Sequence, residues 1–427
     1  NLLRRFILRH HTPRRDGQPV EAPLCNGAWG GSPTAMHLAM IDTIVQRQLP
    51  YDYYWIDAGW YGTSDKPCPD VFTGEWWRVG DWRVNRHHHP GGLQPISEAI
   101  HNAGMKFLLW VEPERAMHGA PVTLEHPEWF LRTTDQPPVT DENLLLNLGD
   151  PDARAWVIET ISSLITENGI DCYREDFNYF GSLEAFLAHD ALDRQGITEI
   201  RFIEGLYAFW DELLRRHPRL LIDNCSSGGR RIDLETISRS IALWRSDYNC
   251  FPGITPDALQ VHVRGLCSWV PLHASSPCAT PGDTYQVRSA LAAGVVLSLG
   301  EFGATTYPLD DTYPWEWHRK MMQDYRRARP FWYGDFYPLM SCSLEPDTWM
   351  AYQLHRVDLD AGMVLAFRRA ESPLVTAVFP LRGLTDDAVY EMEDADTGER
   401  WTLNGSELSV TISERRGTRL LFYRKAR

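Results

Sequence analysis

"DCYREDFNYF", residues 171–180, decides how this chain is read. It starts as a short buried strand and ends in charge, with Asp171, Arg174, Glu175 and Asp176 set beside Tyr173, Phe177 and Tyr179. Burying that many charges is costly unless they are paired or have work to do. A strand end that opens onto a cavity resolves the conflict. In a barrel of parallel strands, functional groups lie at the C-terminal ends of the strands.

Working outward, the same texture recurs on both sides. Short apolar runs are "PLCNGAW" (23–29), "DYYWID" (52–57), "KFLLWVEPE" (106–114), "RLLIDN" (219–224), "IALWRSD" (241–247), "LCSWVPL" (266–272) and "GVVLSLG" (294–300). Between them lie amphipathic helix candidates. "MHLAMIDTIVQRQL", "DARAWVIETISSLITENG" and "TEIRFIEGLYAFWDELLRRH" place apolar residues at helical spacing. The second begins after "GDP", a cap followed by proline, and ends at Asn168-Gly169. Eight strands alternating with helices predict a (β/α)8 TIM barrel over residues 23–333. A doubly wound sheet is the alternative, but no G-x-G-x-x-G follows the first strand. After about residue 334, runs such as "WMAYQLHRVD" and "AGMVLAFRRA" alternate apolar with polar residues. They predict a small C-terminal antiparallel β-sandwich over 334–427. Residues 1–22, rich in arginine, read as an arm or linker, solvated or docked.

Composition narrows the function. The formal charge is −15 and the pI about 5.5, which argues against nucleic acid and anionic membrane as partners. No stretch reads as a membrane span. The 17 tryptophans suit either a large aromatic core or sugar-stacking surfaces. The 8 cysteines show no CxxC pair, so a reducing, cytoplasmic compartment is the expectation. The chain opens on Asn1 rather than Met, which leaves a preceding segment, a secretion leader included, open.

Five strand endings each deliver a carboxylate: "WIDAGW", "WVEPE", "REDFN", "DNCSSGG" and "WRSDYN". Asp176 and Asp247 end the fourth and sixth strands, where they can face each other across the mouth. Carboxyls about 5–5.5 Å apart are what a retaining glycosidase requires, and about 6.5–9.5 Å suits an inverting one. In "CSSGG" (225–229), Cys225 and Gly228 let the backbone approach a ring closely; no base stands near Cys225 in sequence to make it a nucleophile. "RHHHPGG" (86–92) is expected to be a solvated loop, not a metal site. In "VEPE" (111–114), Pro113 between the acids and the lack of a nearby histidine favour supporting or capping roles over metal binding.

These motifs, with "HPEWFL" and "YGDFYPL", resemble glycoside hydrolase family 36, the clan D bacterial α-galactosidases, over nearly the whole chain. The resemblance implies a retaining, exo-acting α-glycosidase without metal or organic cofactor. Asp176 matches the nucleophile and Asp247 the acid/base. Asp57, Trp60, Trp110, Arg174, Asn178, Cys225 and Gly228 are implied as substrate-binding residues. Three positions depart from the family pattern: Ala58 replaces the second of two adjacent aspartates, Arg174 replaces lysine and Glu175 replaces tryptophan. The Arg that the family often supplies after its third strand is not evident in "TDENLLLN". Such changes imply a relaxed or altered sugar choice. The candidates are α-galactosides, N-acetylgalactosaminides or galactosaminides with Glu175 holding an amine, or a galactose-like sugar lacking the 6-hydroxyl. A transglycosylase and a non-catalytic carbohydrate-binding protein are the rivals. The substrate is expected to be an oligosaccharide or glycoside. The family's N-terminal β-sandwich has no counterpart in this sequence, so a homo-oligomer or other assembly stays open.

Overall fold

The computed structural model describes residues 1–65, 75–134, 136–250, 254–277, 280–299 and 308–426, apart from the side chain of Cys250. Gly300 of "GVVLSLG" and two of the 8 cysteines, Cys68 and Cys278, lie outside the described residues.

Seven parallel strands form one curled sheet. In spatial order they are Leu221–Asn224, Cys172–Glu175, Lys106–Val111, Tyr53–Ile56, Leu24–Ala28, Gly294–Val296 and Ala274–Ser275. The two edges are joined through Ile241 and Ala242, which bridge in parallel to Asp223 and His273. Ile241 N donates to Ile222 O (2.9 Å), and Ala274 N donates to Ala242 O (2.8 Å). The ring is thus closed, and the sixth strand is reduced to two residues of "IALWRSD". The expected seventh strand is displaced. Most of "LCSWVPL" is the end of a helix, Pro256–Cys267, and the turn after it. That helix has a capping Thr255 and Pro256 in its first turn, a start signal stronger than the apolar run at its end. The strand itself is only Ala274–Ser275.

The helix Pro151–Asn168 shows why the chain alternates so regularly. Asp150 caps it by accepting from Asp152 N (2.8 Å) and Ala153 N (3.0 Å). Gly169, at φ +63°, ends it in the left-handed conformation that favours glycine. The chain is then delivered to Cys172–Glu175, the strand that opened the analysis.

A second layer of structure follows. A six-stranded antiparallel sheet runs in the order Asp335–Pro338, Trp349–Arg356, Ala361–Arg368, Gly417–Lys425, Val389–Asp394 and Arg400–Asn404. The pair Thr376–Pro380 and Glu407–Thr411 completes the sandwich around Trp349, Phe379, Tyr390 and Met392. Residues Leu2–His10 form a helix, and the arm is docked rather than solvated. Arg4 is fully buried and donates to the carbonyls of Gly334 (2.9 Å), Cys267 (2.7 Å) and Trp332. Arg5 pairs with Asp335.

Candidate active site

Alternation along Cys172–Glu175 sends Arg174 toward the barrel axis and Glu175 toward the helices. Arg174 is nearly encased. Its Nη1 donates to Asp223 Oδ2 (2.5 Å), its Nε lies 3.7 Å from Asp57 Oδ2, and its guanidinium stacks 4.2 Å from the ring centre of Trp55. Trp55 Nε1 donates to the same Asp57 oxygen (2.9 Å). One fixed cation therefore serves carboxylates from two other strands.

Asp176 follows one residue after Glu175 and is surrounded by donors. Its Oδ1 accepts from Phe177 N (2.8 Å) and Ser227 N (3.1 Å), and its Oδ2 from Trp110 Nε1 (3.1 Å). Burial alone would raise its pKa. The Arg174 charge and hydrogen bonds from Asn178, Cys225 and Trp110 outweigh burial and hold it below the usual carboxylate range. Asp247 opens a short 3-10 turn on the other side of the mouth. Burial and the charge of Asp176 push its pKa up, against Arg174, Arg230 and a hydrogen bond from Trp244. The two carboxyls are therefore driven in opposite directions.

The loop between them is built to fit. Gly228 has φ +86°, and a Cβ there would lie 2.9 Å from both Asp247 N and Ser246 Cα. Its N–H donates to Cys225 Sγ (3.3 Å). Burial raises the Cys225 pKa well above the ordinary value, so it remains a thiol that donates to Asp176, not a nucleophile. Asn178 N donates to Glu112 Oε1 (2.5 Å), and Arg115 grips Glu112 through Nε (2.8 Å) and Nη2 (2.5 Å). Glu112 of "VEPE" thus supports the site's backbone.

Three sequence expectations change. Glu175 does not face the cavity. Its Oε2 accepts from Tyr173 Oη (2.8 Å) and Trp210 Nε1 (2.6 Å), the latter on the helix Ile197–Arg216. Arg231 holds the neighbouring Glu114 at 2.6 and 2.7 Å, and burial with the Glu114 charge raises the pKa of Glu175 well above the ordinary carboxylate range. Trp60 is fully buried and presents no face to a sugar; its Nε1 donates to Trp110 O (2.8 Å), which steadies the strand end carrying Trp110. The histidine run is not solvated throughout. His88 and His89 are buried, and His89 bonds Gly30 O (2.9 Å) and Thr34 Oγ1 (3.1 Å). The Gly30 backbone in turn packs on Asp57 and Ala58, where a Cβ would meet Asp57 O at 2.2 Å. No group of three or more His, Cys, Asp or Glu side chains suited to a metal ion occurs among the described residues.

The structure thus brings Asp57, Trp110, Arg174, Asp176, Asn178, Cys225, Gly228 and Asp247 to one mouth. Sequence reasoning did not select Trp55, Asp223, Ser227 or Arg230. Asp223 was visible among the strand-end acids, and Trp55 lies two residues before Asp57 on the same face.

The profile of the family described as Melibiase matches residues 21–303. This chain belongs to the Melibiase family. Within it, the α-galactosidase AgaA of Geobacillus stearothermophilus is 29% identical over 361 residues, 81% of this chain and 46% of that protein. α-Galactosidase 2 of Pediococcus pentosaceus is 32% identical over 202 residues, 47% of this chain and 27% of that protein. The chain therefore spans less than half the length of these Melibiase relatives. The crystal structure of AgaA, a family 36 α-galactosidase, superposes with a TM-score of 0.77 at 21% identity, over 99% of this chain and 58% of that one. The barrel and the sandwich are thus shared with that structure as a fold. No helix among the described residues is long and apolar enough to cross a membrane.

Proposed function

We propose that this chain cleaves terminal α-galactosides with retention of configuration. The observation that carries the reading is the opposite displacement of two carboxyls at one barrel mouth. Against its burial, the Arg174 charge and neighbouring hydrogen bonds lower the pKa of Asp176, while burial and the charge of Asp176 raise that of Asp247. In this mechanism Asp176 attacks the anomeric carbon while Asp247 gives its proton to the leaving oxygen. The glycosyl ester removes the charge of Asp176. The proton affinity of Asp247 then falls, which suits it to take a proton from the incoming water. Asp57, next to Arg174 and partly accessible, is placed to accept from a sugar hydroxyl. The names of the relatives support galactose as the sugar. A binding protein has no need of two carboxyls whose proton affinities are driven apart.

Ala58 supports a second reading, a galactose-like sugar without the 6-hydroxyl. The amino-sugar reading has lost its residue, because Glu175 faces the helix layer. A panel of aryl α-galactoside, N-acetylgalactosaminide, galactosaminide and fucoside, with β-L-arabinopyranoside, separates these readings. Release from the galactoside, lost in Asp176→Ala, is the expected result. Preferential release from the fucoside or arabinopyranoside selects the second reading. No release from any member of the panel overturns both.

A further inference from the structure

At the opposite end of the barrel from the mouth, where the strands begin, lies a cavity of about 360 Å³. Tyr53 and Lys106 open neighbouring strands and stand side by side in register, with Lys106 Nζ 5.4 Å from the centre of the Tyr53 ring. The hairpin of Arg14–Arg15 and Gln18–Pro19 closes one side of the cavity. Arg326, on the helix Trp315–Ala328, and Arg329 just after it close the other. The acids here are already engaged. Asp52 accepts from Leu24 N (2.8 Å) and Arg329 Nη1 (2.8 Å) and lies 3.2 Å from Arg326 Nη2. Glu21 lies 3.5 Å from Arg329 Nη2, and Asp16 is exposed at the tip of the hairpin. Asp171, whose charge also reaches Lys106, is bonded to His101 Nε2 (2.9 Å) and Phe107 N (2.8 Å). Three donors are not engaged in this way. Lys106 Nζ makes no hydrogen bond or ion pair among the described residues, and Arg15 gives only Nη2, to Arg219 O. Tyr53 is 4% exposed, yet its hydroxyl has no hydrogen-bond partner among the described residues. Buried hydroxyls are normally hydrogen-bonded, so this one marks an open place in the wall. Burial and the charge of Arg15 lower the Lys106 pKa, against Asp171 and Asp52. Positive charge is therefore in local excess, in a chain whose net charge is −15.

We propose that Arg15, Lys106 and Tyr53 bind a phosphate group, free or as the head of a small monoester. Two cations without a carboxylate partner suit a dianion, and the flat guanidinium of Arg15 matches a pair of phosphate oxygens. The Tyr53 hydroxyl adds a neutral donor from the buried side. Small-molecule sites span about 300–1,000 Å³, so the cavity has room for the alcohol as well as the phosphate. The site is separate from the carboxyls at the mouth and does not depend on the reaction assigned to them.

Calorimetric titration of the full chain with inorganic phosphate and with glucose 6-phosphate tests the site, with sodium chloride at matched ionic strength as the blank. Saturable binding of at least one probe is expected. Its Kd should rise about tenfold in Lys106→Gln and about threefold in Tyr53→Phe. Thermal unfolding without added phosphate checks that both variants are folded, and Arg15→Gln, on the outer hairpin, replaces either one that is not. Tighter binding of the ester supports the site and assigns it to a monoester; tighter binding of inorganic phosphate supports it and assigns it to the free ion. Heat no larger than the chloride blank from both probes overturns the site. So does a Kd that stays within about twofold of the original in the folded variants.

Discussion

The fourth barrel strand carries two charged networks back to back. Facing the axis, Arg174 sits among Asp57, Asp223 and Asp176. Facing the helices, one residue along, Glu175 sits with Glu114 and Arg231. Both networks are buried, and each has more carboxyls than cations. The inner one settles its imbalance by leaving Asp57 and Asp176 at the edge of the cavity, 8% and 9% exposed, where a ligand can reach them. The outer one settles it by raising the proton affinity of Glu175, closed off by Tyr173 and Trp210. Buried charge alone does not mark a site. What marks it is a charge held ready and left reachable.

This contrast can be broken at four points. The largest effect is expected from Asp247→Asn, which removes the proton donor. Turnover of an alkyl galactoside should fall about 10²- to 10⁴-fold. The loss should be much smaller for a leaving group that departs without a proton; equal losses on both would show that Asp247 is not the acid. On the outer side, Arg231→Ala strands Glu114 without its cation. Urea unfolding should show a loss of about 3 kcal/mol or more; a loss near zero would mean the outer network carries no structural load.

Asp57 offers a pH test. Burial, partly offset by Arg174, pushes its pKa up to about 6 from an ordinary 3.8. The folded chain therefore holds that proton more tightly than the unfolded chain does. This group's contribution to stability declines as pH rises from about 3.8 to about 6, then levels. Substrate binding that needs ionised Asp57 should strengthen over the same climb, so KM should rise on going below about pH 6. In Asp57→Asn that limb should vanish from the KM profile; its survival would assign the limb to another group. The smallest effect is expected from Glu175→Gln, an isosteric exchange for a carboxyl whose burial favours the neutral form. Its stability should shift by less than about 1 kcal/mol and its kcat stay close to the original. A large kcat loss would mean that Glu175 is ionised and acts on Asp176.

Much of this was legible in the sequence. The alternation of short apolar runs and amphipathic segments gave the barrel, and the polar strand ends gave Asp176 and Asp247. The direction of Glu175 was legible too, because neighbours on a strand face opposite ways; family resemblance drew attention to the position and away from that rule. Other features left little trace. A strand of two residues, Ala274–Ser275, is too short for any period to show. The burial of His89 depends on Gly30, which is remote in the chain and close in space. Ser227 acts through its backbone N–H, to which residue type gives no clue. Its φ of +46°, unusual for serine, follows from the turn that aims that N–H.

The buried arginine of the first helix has a consequence for assembly. Arg4 and Arg5 find Gly334 and Asp335 across 330 positions of sequence. Those partners lie where the chain passes from the barrel into the first strand of the sandwich. That fastening cannot close until the barrel's last helix and the first strand beyond it are in place. Contacts of such long sequence separation form late, after the loop entropy has been met elsewhere. The helix therefore works as a latch, and its release in a truncated chain would be felt at a joint built from residues more than three hundred places away.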